Sequence, residues 1–238
     1  NIFNVDETGL QLNNRPEKVI AVKGSIAVIQ LRREKRAKQS AYFCNGEGIF
    51  LPPYCIFKGK NLKDEFSSAL PSGFVVRMSQ KSTYVNTDIF FTWLKEHFMP
   101  RKPLGKVLLI FDGHTSHCNL CEMLEFAEEN GIIMLCLPPH TTHYLQPLDR
   151  AVFKSLKTHY YAACNNFIKI NPSKKIGRLQ FGQLLAESWA KAAIATNAIS
   201  GFRASGIISF SPEAIPDYAF LSESGNRICR QSKNGRNN

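Results

Sequence analysis

The sequence has no apolar run long enough to cross a bilayer. Its longest uninterrupted apolar stretches are Val107 to Phe111 and Ile132 to Leu137, against the roughly 20 residues that a spanning helix needs. No membrane-spanning helix is therefore expected. No secretory signal opens the chain, which begins Asn-Ile-Phe-Asn-Val-Asp. An initiator Met is also missing and a strand pattern starts at once, so a fragment of a longer protein is expected. No internal repeat is visible. Cysteines number seven, an odd and scattered set: Cys44, Cys55, Cys118, Cys121, Cys136, Cys164 and Cys229. Cys118 and Cys121 form a lone CxxC with no second pair at zinc-ribbon spacing, which argues against a structural zinc. Cys136 lies inside an apolar run and reads as a buried thiol. The set fits a reduced intracellular compartment.

Acid is in short supply too. Nineteen Asp and Glu face thirty Lys and Arg, giving a net charge of +11 and a pI near 9.4. Such an excess points to a polyanionic partner, of which nucleic acid is the usual one for a soluble protein. Solubility alone is the plainer explanation. What remains is a globular composition, 44% hydrophobic and 21% charged. A chain of 238 residues can bury a sizeable core, as one large domain or a domain with an appended subdomain.

Ile2 to Val5 patterns as a short apolar strand that delivers Asp6 at its C-terminal end. A second extended region covers Ser25 to Leu31, and the basic run Arg32, Arg33, Glu34, Lys35, Arg36 and Lys38 follows. Ala41 to Cys44 and Ile49 to Phe57 form a hairpin pattern turning on Asn45-Gly46-Glu47-Gly48. Pro52 and Pro53 in its return strand require an edge position or a bulge. Ile89, Phe90, Trp93, Leu94 and Phe98 fall at helical spacing, with Thr87 as the cap and Pro100 beyond the end. Val107 to Phe111 suits a strand covered on both faces in a parallel sheet. Leu120, Met123, Leu124 and Ala127 mark the next helix, closed by Asn130-Gly131. Ile132 to Leu137 reads as another buried strand, halted by Pro138-Pro139. Helices are expected from about Leu148 to Phe167 and from about Leu179 to Thr196. A meander of strands followed by strands alternating with helices predicts an α/β three-layer domain, a mixed central sheet flanked by helices. Residues 1–216 are assigned to this domain, and 217–238, rich in Ser, Asn, Arg and Gly, to a disordered tail.

The chemistry concentrates on aspartates. Asp112 directly follows Val107-Leu108-Leu109-Ile110-Phe111, so a buried strand aims its carboxylate into the crevice where ligands bind in such sheets. Capping of the following loop is the alternative. Asp6 repeats the pattern, and two carboxylates on neighbouring strand ends repel unless a divalent cation sits between them. Asp149 precedes Val152, Phe153 and Leu156 at helical spacing, which puts it on the core-facing stripe; an acid serving the helix dipole is the plainer reading. Three such acids suit two-metal phosphoryl transfer, in which cations about 3.5–4 Å apart are bridged by carboxylates. Oxygen ligands favour Mg2+ or Mn2+.

The words around these aspartates carry a resemblance. Asn4-Val5-Asp6-Glu7-Thr8-Gly9, Phe111-Asp112-Gly113-His114-Thr115-Ser116-His117 and Leu137-Pro138-Pro139-His140-Thr141-Thr142-His143-Tyr144-Leu145-Gln146-Pro147-Leu148-Asp149 resemble the three active-site blocks of the pogo, Tigger and jerky branch of DDE transposases. Gly201-Phe202-Arg203-Ala204-Ser205-Gly206-Ile207 resembles a further block, and the likeness runs in order from Asn1 to roughly Pro216. It implies an RNase H-like fold, with Asp6, Asp112 and Asp149 as the catalytic, metal-holding triad, two Mg2+ or Mn2+ ions, double-stranded DNA as partner and TA target sites. A homodimer and a nuclear location belong to the same expectation. Relatives carry a helix-turn-helix DNA-binding module upstream of the first block, and none is expected in this sequence, which starts at that block.

His114, His117, His140 and His143 make two HxxH pairs, which allow a zinc site. The family blocks imply instead that these histidines and Gln146 support the acidic loops or contact phosphate. The basic run Arg32 to Lys38 reads as a DNA contact, a nuclear import signal or a solvated loop. The leading expectation is thus a DNA endonuclease and strand transferase. Its rivals are a domesticated DNA- or chromatin-binding protein and a general RNase H-like nuclease.

Overall fold

The computed structural model describes residues 1–11, 37–67, 69–80, 85–112, 121–138, 141–172 and 174–216. The region Ser25 to Leu31, most of the basic run and the tail 217–238 lie outside the described residues.

Six strands form one mixed sheet: β1 (Ile2–Gln11), β2 (Ala37–Asn45), β3 (Phe50–Lys58), β4 (Val75–Ser79), β5 (Val107–Phe111) and β6 (Ile132–Cys136), in the order β4-β3-β2-β1-β5-β6. β2 runs antiparallel to both of its neighbours, β1 and β3, while the β3/β4, β1/β5 and β5/β6 pairs are parallel. This is the RNase H-like arrangement. The expected hairpin is there, and its prolines sit in the bulge. Ala41 pairs with Tyr54 and Phe43 with Leu51, so Pro52 and Pro53 together face Tyr42 alone. β3 is an interior strand, but its ladder to β4 begins only at Tyr54, so neither proline removes a rung there. β4 went unread in the sequence.

Strand alternation sends side chains to two cores. Phe3, Val5, Phe43, Leu51 and Ile56 pack with α1 (Thr87–Trp93), the π turn Leu94–Phe98 and α2 (Cys121–Glu129). Leu10, Tyr42, Cys44, Cys55 and Phe57 pack on the opposite face with α4 (Phe153–Ile170), α5 (Arg178–Ala192) and α6 (Ala195–Ala204). The short α3 (Thr142–Leu145) lies between β6 and α4 in the chain. Aromatic rings carry much of this burial. Trp93 stacks on Phe43 at 3.8 Å between centroids, and Trp189 lies 5.1 Å from Tyr42.

Four sequence expectations change. The α1 cap is Asn86, whose side chain accepts from the Ile89 N–H, one residue before the expected Thr87. The single helix expected from Leu179 to Thr196 is two, because Ala193 and Ile194 leave helical geometry before α6. β6 is an edge strand with only β5 beside it, so Ile133 and Leu135 are 55% and 44% exposed. Cys136 at its end is exposed for the same reason, not buried. Asn130-Gly131 does close α2, with Gly131 at φ 66°, a conformation that favours glycine.

Candidate active site

The parallel β1/β5 ladder runs Ile2–Leu108, Phe3–Leu109, Asn4–Ile110 and stops there. Asp6 and Asp112, each two residues further on, leave it side by side. The sequence pattern ends the first strand at Val5, but β1 continues along β2 to Gln11, with Asp6 opposite Tyr42. The antiparallel partner carries on where the parallel one stops. Asp6 is therefore held in mid-strand, and still overlooks the C-terminal end of β5.

Carboxylate oxygens of Asp6, Glu7 and Asp112 all lie within 4.8 Å of one another, the one such potential ligand group among the described residues. Asp6 is only 7% exposed. Its Oδ1 accepts from the Glu7 N–H at 2.7 Å, and its buried Oδ2 has no hydrogen-bond partner among the described residues. Burial first, then the charges of Asp149, Glu7 and Asp112, push the Asp6 carboxyl well above the usual range, and the Glu7 N–H opposes them. Glu7 was missed in the sequence, because pleat alternation assigns adjacent residues to opposite faces.

Asp149 lies outside this 4.8 Å group. It sits in the π turn Leu148–Val152 that leads into α4. Its charge nevertheless raises Asp6, and Asp112 raises Asp149 in turn, so the three aspartates share one electrostatic neighbourhood. The core-facing position expected for Asp149 is not found. The wider π turn shifts it off the stripe of Val152, Phe153 and Leu156, and Asp149 is exposed. Its carboxyl is raised first by surrounding protein; Lys157 and His143 lower it. With this much solvent around it, no stability follows from that shift.

Beneath the acids lies a buried polar joint. Asn4, 0% exposed, donates from Nδ2 to the Ile110 carbonyl at 3.1 Å and to Gln146 Oε1. Its Oδ1 accepts from the Leu148 N–H at 3.1 Å. Gln146 is likewise 0% exposed, so it supports its loop from within and does not reach solvent. His143 is exposed on α3, its ring 4.1 Å from that of Tyr144 and its carbonyl accepting from Arg150. His114, His117 and His140 lie outside the described residues. Gly201 of α6 packs against the same loop, where an added Cβ would overlap the Pro147 carbonyl oxygen.

The donor set is all carboxylate, a hard-oxygen set that suits Mg2+ or Mn2+ better than zinc. A buried Asp6 oxygen without a partner fits such a cation, which would offset both its desolvation and the repulsion from Glu7 and Asp112.

No helix among the described residues is long and apolar enough to cross a membrane. One curated relative, named MFS-type transporter clz9, from Cochliobolus lunatus, is 31% identical over 176 residues, 72% of this chain and 19% of that protein. The chain thus spans about a fifth of that relative's length. Similar solved structures include a Mos1 transposase paired-end complex with left transposon end, at 13% identity and TM-score 0.46, covering 83% of this chain and 55% of that one. The catalytic domain of Mos1 mariner transposase aligns at 13% identity and TM-score 0.40, covering 83% and 82%. The family model for DDE superfamily endonuclease matches residues 38–202, which include Asp112 and Asp149 and begin after Asp6. With more than half of its length matched by that model, the chain belongs to the DDE superfamily endonuclease family.

Proposed function

We propose that this chain is the catalytic domain of a cut-and-paste DNA transposase of the pogo, Tigger and jerky branch, a metal-dependent DNA endonuclease and strand transferase. The observation that carries the reading is the convergence of Asp6 and Asp112 at the end of the β1/β5 ladder, with Asp149 coupled to both by charge. Asp6, Asp112 and Asp149 would hold two Mg2+ or Mn2+ ions, with Glu7 beside them. When bound, the ions supply activation of the attacking oxygen and stabilisation of the leaving one. The protein's own part is to hold the acids before any ion arrives. The sheet fixes Asp6 and Asp112, and α6 and the Asn4 joint seat the turn that carries Asp149.

The net charge of +11 supports double-stranded DNA as the partner. Transposon ends, TA target sites, a homodimer and a nuclear site of action complete the reading. Plasmid nicking in Mn2+ tests it: the wild type should nick, and Asp6→Ala or Asp149→Ala should not, while DNA binding stays intact. Nicking that survives in either variant points to another active site. Salt-sensitive DNA binding without nicking by the wild type, even with a helix-turn-helix module attached, favours a domesticated binding protein.

A further inference from the structure

The three aspartates come from distant parts of the chain, yet one side chain stands behind all of them. Asn4 is two residues before Asp6 on β1. It donates to the carbonyl of Ile110, two residues before Asp112, and accepts from the N–H of Leu148, one residue before Asp149. Leu148 is the first residue of its turn, Pro147 before it offers no side-chain cap, and helix-start N–H groups need a partner. Asn4 supplies that partner from another strand. Its remaining donor holds Gln146, so the entry to the turn is tied at two points, both fully buried.

From this geometry we infer that Asn4 is a positioning residue for the metal-binding site, setting where the Asp149 turn stands relative to Asp6 and Asp112. This rests on the nuclease reading above. Both hydrogen-bonding ends are used and directional, and Asn4 is shut away from solvent, so it acts through the aspartates and not on DNA. Groups that orient metal ligands typically change metal affinity or activity 10–100-fold when removed.

The test measures Mn2+ binding from the electron paramagnetic resonance signal of the free ion, beside single-turnover nicking and DNA affinity. The variants are Asn4→Ala and Gln146→Leu, with Leu185→Ala in α5 as a destabilised core control. Asn4→Ala should weaken Mn2+ binding about tenfold and slow nicking about a hundredfold, with DNA affinity within about twofold of wild type. Gln146→Leu, which leaves the Leu148 bond in place, should do the same to a smaller extent, and it carries the test if Asn4→Ala does not fold. Leu185→Ala should change neither quantity below its melting temperature. Wild-type Mn2+ affinity in Asn4→Ala, or in a folded Gln146→Leu when Asn4→Ala is lost, overturns the inference, as does equal weakening by Leu185→Ala. A wild type that binds no Mn2+ removes the nuclease reading itself, and the inference with it.

Discussion

Replacing Asp6 by Asn should stabilise the metal-free protein and abolish most of its response to Mg2+. Asp6 is 7% exposed and shares a 4.8 Å neighbourhood with the carboxylates of Glu7 and Asp112. At that separation two unit charges repel by about 3 kcal/mol at an effective dielectric of about 20. The Glu7 N–H bond to Oδ1 returns about 1.5–3 kcal/mol. Proton uptake by the raised Asp6 carboxyl caps the remaining cost. Asn keeps the shape and the Oδ1 acceptor and removes the charge, so a gain of about 2–3 kcal/mol is expected in EDTA. For a chain of this size that is a rise in Tm of roughly 4–12 °C.

In Mg2+ the gap should close, and reverse only well above a hundred times the Kd. At a hundred times its Kd, a cation bound only by the folded state adds about 2.7 kcal/mol; Asp6→Asn should gain little, because it has lost the most buried of the carboxylates. Calorimetric melts of both proteins, in EDTA and across a Mg2+ series, make the measurement. An Asp6→Asn protein no more stable than wild type in EDTA would refute the claim that Asp6 is held against repulsion. An equal Mg2+ shift in both proteins would refute its assignment to the metal site.

Asp149→Asn should leave stability within about 0.5 kcal/mol, since Asp149 is exposed, and should remove nicking; a large drop in Tm would contradict its placement. Gly201→Ala should destabilise by about 1–3 kcal/mol in urea melts despite the better helix propensity of Ala, because its Cβ overlaps the Pro147 carbonyl. His97 is buried, its Nε2–H donates to the Pro52 carbonyl at 2.8 Å, and burial lowers its pKa, with Arg101 adding to the effect. Its contribution is therefore full above the unfolded value of about 6.5 and is lost as pH falls toward the folded value, with a slope of at most about 1.4 kcal/mol per unit. His97→Gln should flatten the stability loss as pH falls below about 6.5, and an unchanged slope would refute the sign. Duplex DNA affinity should fall steeply with added salt in filter-binding assays, as expected for a chain of net charge +11; salt-independent affinity would sink the charge argument.

Much of the sheet was legible because its strands announce themselves locally. Val107 to Phe111 is apolar without a break and proves covered on both faces, with Leu109 and Ile110 at 0% and 1% exposure. The Asn45 to Gly48 turn fixed the hairpin. Failures came where a neighbour decides. Glu7 and Gly9 are poor strand formers, yet they stay extended because β2 pairs them with Ala41 and Gln39. β4 is a strand because β3 offers it an open edge from Tyr54 onward. Ile132 to Cys136 has the composition of a buried strand, but its position at the edge leaves most of it exposed.

The site divides along the same line. Strand-end position marked Asp112 and Asp6, and helical spacing and the family blocks added Asp149, but the means of holding them together were invisible. A pattern of alternating faces predicts that Asn4 points the same way as Asp6; it cannot predict that Ile110 and Leu148 wait there with a carbonyl and an N–H. Asn4 would ordinarily count against a buried strand position, since an amide in an apolar core is costly unless its bonds are made. That cost explains the residue. With its partners in place the amide is satisfied at the carbonyl of β5 and at the turn entering α4, and it holds both at fixed distances from β1. An apolar side chain of equal size would fill the space and leave the Leu148 N–H unpaired. A buried polar residue two positions from a candidate catalytic acid is therefore better evidence about the architecture of this site than the exposed histidine beside Asp149, whose contacts are local.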